Sequence, residues 1–439
     1  VIVFCIRKLT TFISLILLIL FISLLANCGK STGIKPSRKV VIRFWNGFTG
    51  PDGRTILRLV KRFNRENPDV QVLMQRMDWG VYYNKLFVAG LGGRAPEVFI
   101  VHASSMERFI QAQVARPVDD LVRGANGIQE SDFAENIWQA VEKDGRHYAL
   151  PLDVHPIGMY YNKKLFREAG IVDEKGNPKP PTNREEFLDA LTKITKDIDG
   201  DGKNDQWGYV FTWYRTNMYT FLLQWGGRIF TPDYQKCVLD SAENVEAVRF
   251  FTDLIHKKKV IPPPENFDSW IGFRQGKVGI AFEGIYMLED LKRQKDLDYG
   301  AAPLPLLGKV PAAWADSHTI CFKKDLSGEH LDAAWRFAKY LSDNSLDWAD
   351  GGQIPARKSL MESERFKGMT AQWEFAKMIP YIRYIPRVPF ALEFLGEFDT
   401  AAERGLRGNV SAETALSEAA ANVNKIIKRQ NEEQKRSKP

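Results

Sequence analysis

Apolar and polar positions along the chain follow two rhythms. From Val40 to Trp45 the run is apolar and rich in β-branched residues, and reads as a buried strand. After the turn Gly50-Pro51-Asp52-Gly53, Ile56, Leu59, Val60 and Phe63 recur at the spacing of one helical face. Pro68 stops that helix, and Val70 to Met74 supplies the next strand. Tyr82 to Leu91 is helical again, Val98 to Val101 is a third strand, and Met106 to Gln113 is a third helix. Such regular alternation predicts an α/β lobe with a largely parallel sheet.

The alternation resumes from Gly158, with helices over Glu185–Lys196 and Val245–His256 and a strand over Val278–Phe282. Two lobes of this kind suit 439 residues better than one continuous domain. No short-period repeat is visible, which excludes solenoids and propellers. Ala401 to Lys428 reads as one helix, and residues 431–439 as a solvated, flexible tail.

The start of the chain follows neither rhythm. Arg7 and Lys8 precede eighteen uncharged residues, Leu9 to Ala26, dominated by Leu and Ile. A basic start, an apolar run and a small-residue exit describe an export signal. The exit Leu25-Ala26-Asn27-Cys28 resembles a bacterial lipobox, with Asn27 the one unusual residue. Residues 1–27 are therefore read as a lipoprotein signal peptide, Cys28 as the lipidation site, and residues 28–37 as a tether. Two or more acyl chains on Cys28, palmitate among them, would hold the protein on a membrane surface.

Composition narrows the classes further. Mean hydropathy is −0.30, which fits a globular chain and excludes both disorder and a polytopic membrane protein. The net charge of +7 falls to +5 without the signal and forms no patch, so no nucleic-acid partner is expected. Without Cys5 and Cys28, Cys237 and Cys321 remain, expected as two separate buried thiols.

Enzyme motifs are absent: there is no G-x-S-x-G, H-E-x-x-H or C-x-x-C, and no complete dinucleotide fingerprint. The six histidines (102, 147, 155, 256, 318 and 330) have no i, i+4 pairing that would suggest a metal site. His102 and His155 lie near strand ends, where a ligand could meet them, but read more simply as hydrogen-bonded loop residues. A glycosidase pair would have to come from Asp78, Asp153 and Glu283.

Two patterns carry chemistry. The first is an enrichment of Trp and Tyr at loop edges: Trp45, Trp79, Tyr82, Tyr83, Trp213, Tyr214, Trp225, Trp270, Tyr286 and Trp314. An aromatic plate packs the C–H face of a sugar while neighbouring polar groups satisfy its hydroxyl rim. Trp45-Asn46, Asp78-Trp79 and Trp225-Gly226-Gly227-Arg228 juxtapose the two. The second pattern is Asp197, Asp199, Asp201, Lys203 and Asp205, with Gly202 at the sixth position. Acids at positions one, three, five and nine are spaced as in an EF-hand calcium loop, but position twelve is Gly208, where that loop carries a glutamate. A structural calcium ion is the expected occupant.

The segments VIRFWNGFTGPDGRTILRLVKRFNRENPDVQV, LGGRAPEVFIVHASSMERFIQAQVARPVDDLV, HYALPLDVHPIGMYYNKKLFREAGI, FRQGKVGIAFEG and GGQIPARKSL, in this order, resemble the sugar-binding family 1 of bacterial extracellular solute-binding proteins. The resemblance implies a type II periplasmic-binding-protein-like α/β fold: two interleaved lobes with a ligand cleft between them. By analogy, residues 38–152 plus 306–352 form the first lobe and 153–305 plus 353–430 the second. Crossings fall near Leu152-Asp153, Pro303-Leu304 and Gln353-Ile354.

Residue by residue, the resemblance turns Trp45, Asn46, Asp78, Trp79, Asp153, Trp225, Gly226, Gly284, Tyr286 and Trp314 toward the cleft. It implies a non-enzymatic, monomeric, lipid-anchored extracytoplasmic receptor that takes a saccharide to the permease subunits of an ABC importer. The alternatives are a non-sugar solute, such as a glycerol phosphodiester, or an exported glycan-cleaving enzyme. Arg215, Arg228, Arg274 and Arg357 are the cations that an acidic ligand could use.

Overall fold

The computed structural model describes residues 39–50 and 52–437. The expected signal, tether and lipidated Cys28 lie outside the described residues. Among those described, no helix is long and apolar enough to cross a membrane.

The described residues contain fourteen strands, in chain order β1 (Val40–Asn46), β2 (Val70–Arg76), β3 (Val98–His102), β4 (Glu142–Lys143), β5 (Arg146–His147), β6 (Leu150–Pro151), β7 (Asp153–Asn162), β8 (Trp207–Tyr209), β9 (Val278–Gly284), β10 (Tyr299–Ala302), β11 (Ala313–Asp316), β12 (His318–Phe322), β13 (Ile354–Pro355) and β14 (Ile382–Arg383). One sheet has the order β2-β1-β3-β12-β6, and the second β14-β11-β7-β9-β8, with β10 and β13 also pairing with β7. The strands β4 and β5 form a separate hairpin.

The first lobe follows its sequence pattern in the strand–helix units, although β12 pairs antiparallel with β3 and β6. In the helix Asp52–Glu66, the expected Ile56, Leu59, Val60 and Phe63 are the residues buried. The helix Trp79–Leu91 starts at Trp79, ahead of the expected Tyr82, because Asp78 caps it: Gly80 N–H donates to Asp78 Oδ1 at 2.9 Å. β1 and β3 run parallel, as expected of a strand–helix–strand unit.

The second lobe departs from the pattern. β7 pairs antiparallel with β9, β10, β11 and β13, so this sheet is not largely parallel. All ten residues of β7 are buried, which erases the alternation that would have marked an antiparallel strand. The C-terminal helix also divides, into Ala391–Leu406 and Ala412–Ser437. Gly408, at φ +70°, takes the left-handed turn that ends the first piece. The second runs to Ser437, past the start of the expected tail.

Crossings between the sheets decide what stands where the lobes meet. Leu152 joins β6 of the first sheet to β7 of the second, as expected. The return is displaced from the expected Pro303-Leu304: β11 belongs to the second sheet and β12 to the first, so the chain crosses at Ser317. Residues 313–316 therefore join the second lobe, where the short β11 pairs with β7 before the chain passes over. The third crossing leads through the buried Gln353 into β13, which pairs with β7 as Ile354↔Val154 and Pro355↔Asp153.

Candidate functional site in the crossing region

Two strand registers set the centre of the site. On the antiparallel β3–β12 pair, His318 stands opposite His102. On the β7–β11 pair, His155 stands opposite Asp316. Because β11 and β12 are consecutive across Ser317, the two pairs adjoin. The imidazole of His318 then lies 4.7 Å from that of His102 and 4.3 Å from that of His155, between ring centroids.

Asp153, the first residue of β7, anchors this centre and is fully buried. Its Oδ1 accepts from His155 Nδ1 at 2.9 Å and from the His318 backbone N–H at 3.1 Å. Its Oδ2 accepts from His318 Nδ1 at 2.7 Å and from Trp348 Nε1 at 2.6 Å. Burial opposes the charge, but the His318 and His155 imidazoles outweigh it and hold the Asp153 carboxyl far below the usual range. His318 is displaced the other way: burial lowers it, but Asp153, with Asp52 and Asp316 nearby, raises it on balance. His102 is lowered, by burial and then by the neighbouring His318 and His155. Its Nδ1 makes a short hydrogen bond with the Tyr83 hydroxyl, which also accepts from the His102 backbone N–H at 3.2 Å. Asp316 accepts from the Ser104 hydroxyl and is raised mainly by burial.

Aromatic rings extend the centre into both lobes. Trp79 lies 4.5 Å from His102 and stacks over His318 at 5.8 Å and 16°. On the other side His155 meets Tyr286 at 6.0 Å and Trp314 at 6.2 Å. Two glycines make room for the outer rings. A Cβ on Gly47 would stand 2.1 Å from the Trp79 indole, and one on Gly284 would stand 2.1 Å from the Tyr286 ring. Asn46 is buried beside Gly47, its Oδ1 accepting from Phe48 N–H at 3.2 Å, while its Nδ2 has no protein partner among the described residues.

The expected site residues therefore separate into groups. Trp79, Asp153, Gly284, Tyr286 and Trp314 are brought together, and Trp45 and Asn46 stand at the adjoining end of β1, where the Trp45 carbonyl accepts from the Tyr82 hydroxyl at 3.0 Å. Asp78 is an exposed helix cap. Trp225 is buried at the end of the helix Tyr214–Gln224, against Phe250 at 5.2 Å and under the Arg184 guanidinium at 4.8 Å, and none of these partners belongs to the cluster. Gly226 follows it with φ +87°, a turn position. Pairing Trp225 with cleft residues fails because a buried and an exposed indole look alike in sequence. A surface cavity of about 750 Å³ lined by Asn136, Trp373 and Arg383 shares no residue with the cluster either.

Three of the four candidate arginines are engaged elsewhere: Arg215 with Asp399, Arg274 with Asp290, and Arg357 with Asp132 and Asp343. The three glycosidase candidates have different surroundings. Asp153 has all its hydrogen bonds satisfied within the protein, and Asp78 caps a helix. Glu283 is buried with one oxygen unpartnered, and burial pushes its carboxyl up to about 8. Cys237 and Cys321 are free and buried, as expected, with burial raising them to about 11 and about 12.

Within the acidic loop, ligand atoms of Asp197, Asp199 and Asp205 lie within 4.8 Å of one another, and Asp201 does not join them. Asp197 already accepts from Gly200 N–H at 2.7 Å and Gly202 N–H at 2.8 Å.

His102, His155, His318, Tyr83 and Trp348 are not among the residues expected to face the cleft, although Tyr83 belongs to the loop-edge aromatics and His102 and His155 to strand ends.

The chain is 25% identical over 378 residues to the maltotriose-binding protein of Pyrococcus abyssi, a match covering 83% of this chain and 75% of that one. It is 22% identical over 351 residues to the sn-glycerol-3-phosphate-binding periplasmic protein UgpB of Escherichia coli K12, covering 74% and 76%. Among solved structures, the ABC substrate-binding protein Lmo0181 of Listeria monocytogenes in complex with cycloalternan has a TM-score of 0.75 at 21% identity, covering 89% of this chain and 99% of that one. The maltose/maltodextrin-binding domain MalE of Bdellovibrio bacteriovorus, bound to maltotriose, has a TM-score of 0.73 at 22% identity, covering 89% and 100%. These likenesses establish the type II periplasmic-binding-protein fold. The signature of one family matches residues 49–345, more than half of the chain: the protein belongs to the bacterial extracellular solute-binding proteins.

Proposed function

We propose that this chain is an extracytoplasmic receptor that captures a sugar or oligosaccharide between its lobes and presents it to the permease subunits of an ABC importer. The observation that carries the reading is the line of rings from Trp79 through His102, His318 and His155 to Tyr286 and Trp314, spanning the crossing between the lobes. Apolar plates at both ends with imidazoles between them match a sugar's C–H faces and hydroxyl rim. Ligand contact with both walls favours a closed state, reached by bending at Leu152, Ser317 and Gln353. The saccharides named for the relatives support this ligand class. A glycerol phosphodiester, suggested by the UgpB relative, is less well served, because Arg215, Arg274 and Arg357 are already paired. The receptor acts as a monomer without catalysis, tethered through acylated Cys28. Replacement of that cysteine, Cys28→Ser, is expected to move the protein from the membrane to the soluble fraction.

Thermal-shift and calorimetric titration with neutral oligosaccharides, uronides and glycerol phosphodiesters tests the ligand class. An oligosaccharide is expected to raise the melting temperature, since it binds only the folded state. A response to phosphodiesters alone, or new products released from an oligosaccharide, would overturn the reading. Trp79→Ala should weaken the bound sugar about 10- to 30-fold, the loss of one aromatic plate. Trp225→Phe should leave the affinity unchanged.

A further inference from the structure

The three central imidazoles hold a second possibility that a sugar cleft does not require. His102, His155 and His318 each offer a ligand atom, and these atoms lie within 4.8 Å of one another. Their Nδ1 atoms are occupied: those of His155 and His318 by Asp153, and that of His102 by Tyr83. Among the described residues no protein group bonds the Nε2 of any of the three. A carboxylate can only accept, so Asp153 fixes a proton on the Nδ1 of both partners and leaves their Nε2 atoms for another ligand, a metal ion displacing any proton held there. An imidazole fixed by a carboxylate through one nitrogen and free at the other is how proteins prepare histidine ligands for zinc.

We propose that His102, His155 and His318 form a binding site for a divalent transition metal ion, zinc by preference, through their Nε2 atoms. Three imidazoles with open remaining positions suit Zn²⁺, which takes nitrogen ligands in a tetrahedral arrangement. The charge also fits. Asp153 and Asp316 are buried beside the imidazoles, and their side chains bond imidazole, indole and hydroxyl groups but no Lys or Arg. A dication would balance these carboxylates. Its open positions would face the cleft between Trp79 and Tyr286, available to water or to ligand hydroxyls. The other three histidines are unsuitable: His147 is held by Asp119, His256 by the Leu406 carbonyl, and His330 is on the surface.

The test is calorimetric titration of untagged, chelator-treated protein with Zn²⁺ alone, beside the variants His102→Gln, His318→Gln and His330→Gln. The expected result is one site per chain with a dissociation constant of order 1 µM or tighter. His102→Gln and His318→Gln should each weaken it at least 100-fold, and His330→Gln should leave it unchanged. No saturable uptake by the unmodified protein, equal uptake in the His102 and His318 variants, or loss in the His330 variant would each overturn the proposal. Should the buried variants not fold, the Co²⁺ complex of the unmodified protein decides. Intense visible bands of four-coordinate cobalt support the site, and the weak bands of octahedral cobalt overturn it. No sugar enters these measurements, so failure here leaves the saccharide reading standing, and the reverse also holds.

Discussion

The molecule gathers potential metal ligands in two places, and they are built in opposite ways. In the loop Asp197–Asp205 the carboxylates lie close together in sequence; Asp197, Asp199 and Asp201 are exposed and accept from the loop's own backbone N–H groups, while Asp205 is half-buried. In the crossing region the histidines come from β3, β7 and β12, are largely buried, and are satisfied by Asp153 of β7 and Tyr83 of the helix Trp79–Leu91. The loop needs nothing from the fold. The histidine cluster exists only because β11 passes into β12 at Ser317, so damage to it should propagate into the lobes, and damage to the loop should stay local.

The largest effect expected from this contrast is at Asp153. Asp153→Ala strips the partner from two imidazoles, an indole and a backbone N–H in the interior. The expected loss is about 3–5 kcal/mol of unfolding free energy, as when one member of a buried charged pair is removed. Asp197→Ala, measured by the same denaturation, should barely move the midpoint, since water replaces its exposed contacts. Equal losses at the two positions would mean that the fold does not depend on the crossing hub.

A second buried carboxylate sharpens the point, because it lacks the donors that Asp153 has. Glu283 receives a 3.5 Å contact from Thr212 Oγ1 and others from Trp213 and the Gly284 backbone, and burial outweighs them, raising it from 4.5 to about 8. The folded state then holds a proton that the unfolded chain releases, so stability is full below pH 4.5 and falls as pH rises toward 8. Glu283→Gln should flatten that slope and, at pH 8, gain about 2–4 kcal/mol over the parent protein. An unchanged pH slope in the variant would place the titration elsewhere.

These cases explain how far the sequence could be read. The first lobe's strand–helix units were recoverable because each buries one face, so Ile56, Leu59, Val60 and Phe63 betray their period. The aromatic walls were also recoverable, since Trp79 and Tyr286 both follow strand ends, Tyr286 two residues after the Gly284 that accommodates it. The centre was not. His102, His155 and His318 are separated by whole lobes, and no spacing rule links residues that meet through strand register. β7 concealed its antiparallel partners because it is buried on both faces, and Trp225 passed for a cleft residue because sequence carries no burial. The same reasoning divides the glycine positions: Gly226 supplies a turn, while Gly47 and Gly284 yield space to a ring.

The smallest effect, and the last check on the contrast, belongs to the acidic loop. We propose that it binds calcium weakly through Asp197, Asp199 and Asp205, with the carbonyl at Lys203 in the place of the seventh ligand. Three features limit the affinity: Gly208 stands where a bidentate glutamate would, Asp201 is turned away from the cluster, and the Gly200 and Gly202 N–H groups already occupy Asp197. Millimolar calcium should therefore raise the melting temperature by about 2 °C, and chelator should remove that gain. Asp199→Asn should abolish the calcium response while leaving sugar affinity untouched, because no part of the loop reaches the ring cluster. If the sugar affinity changed with calcium, the loop would be coupled to the cleft after all, and its local, self-contained construction would no longer describe how it works.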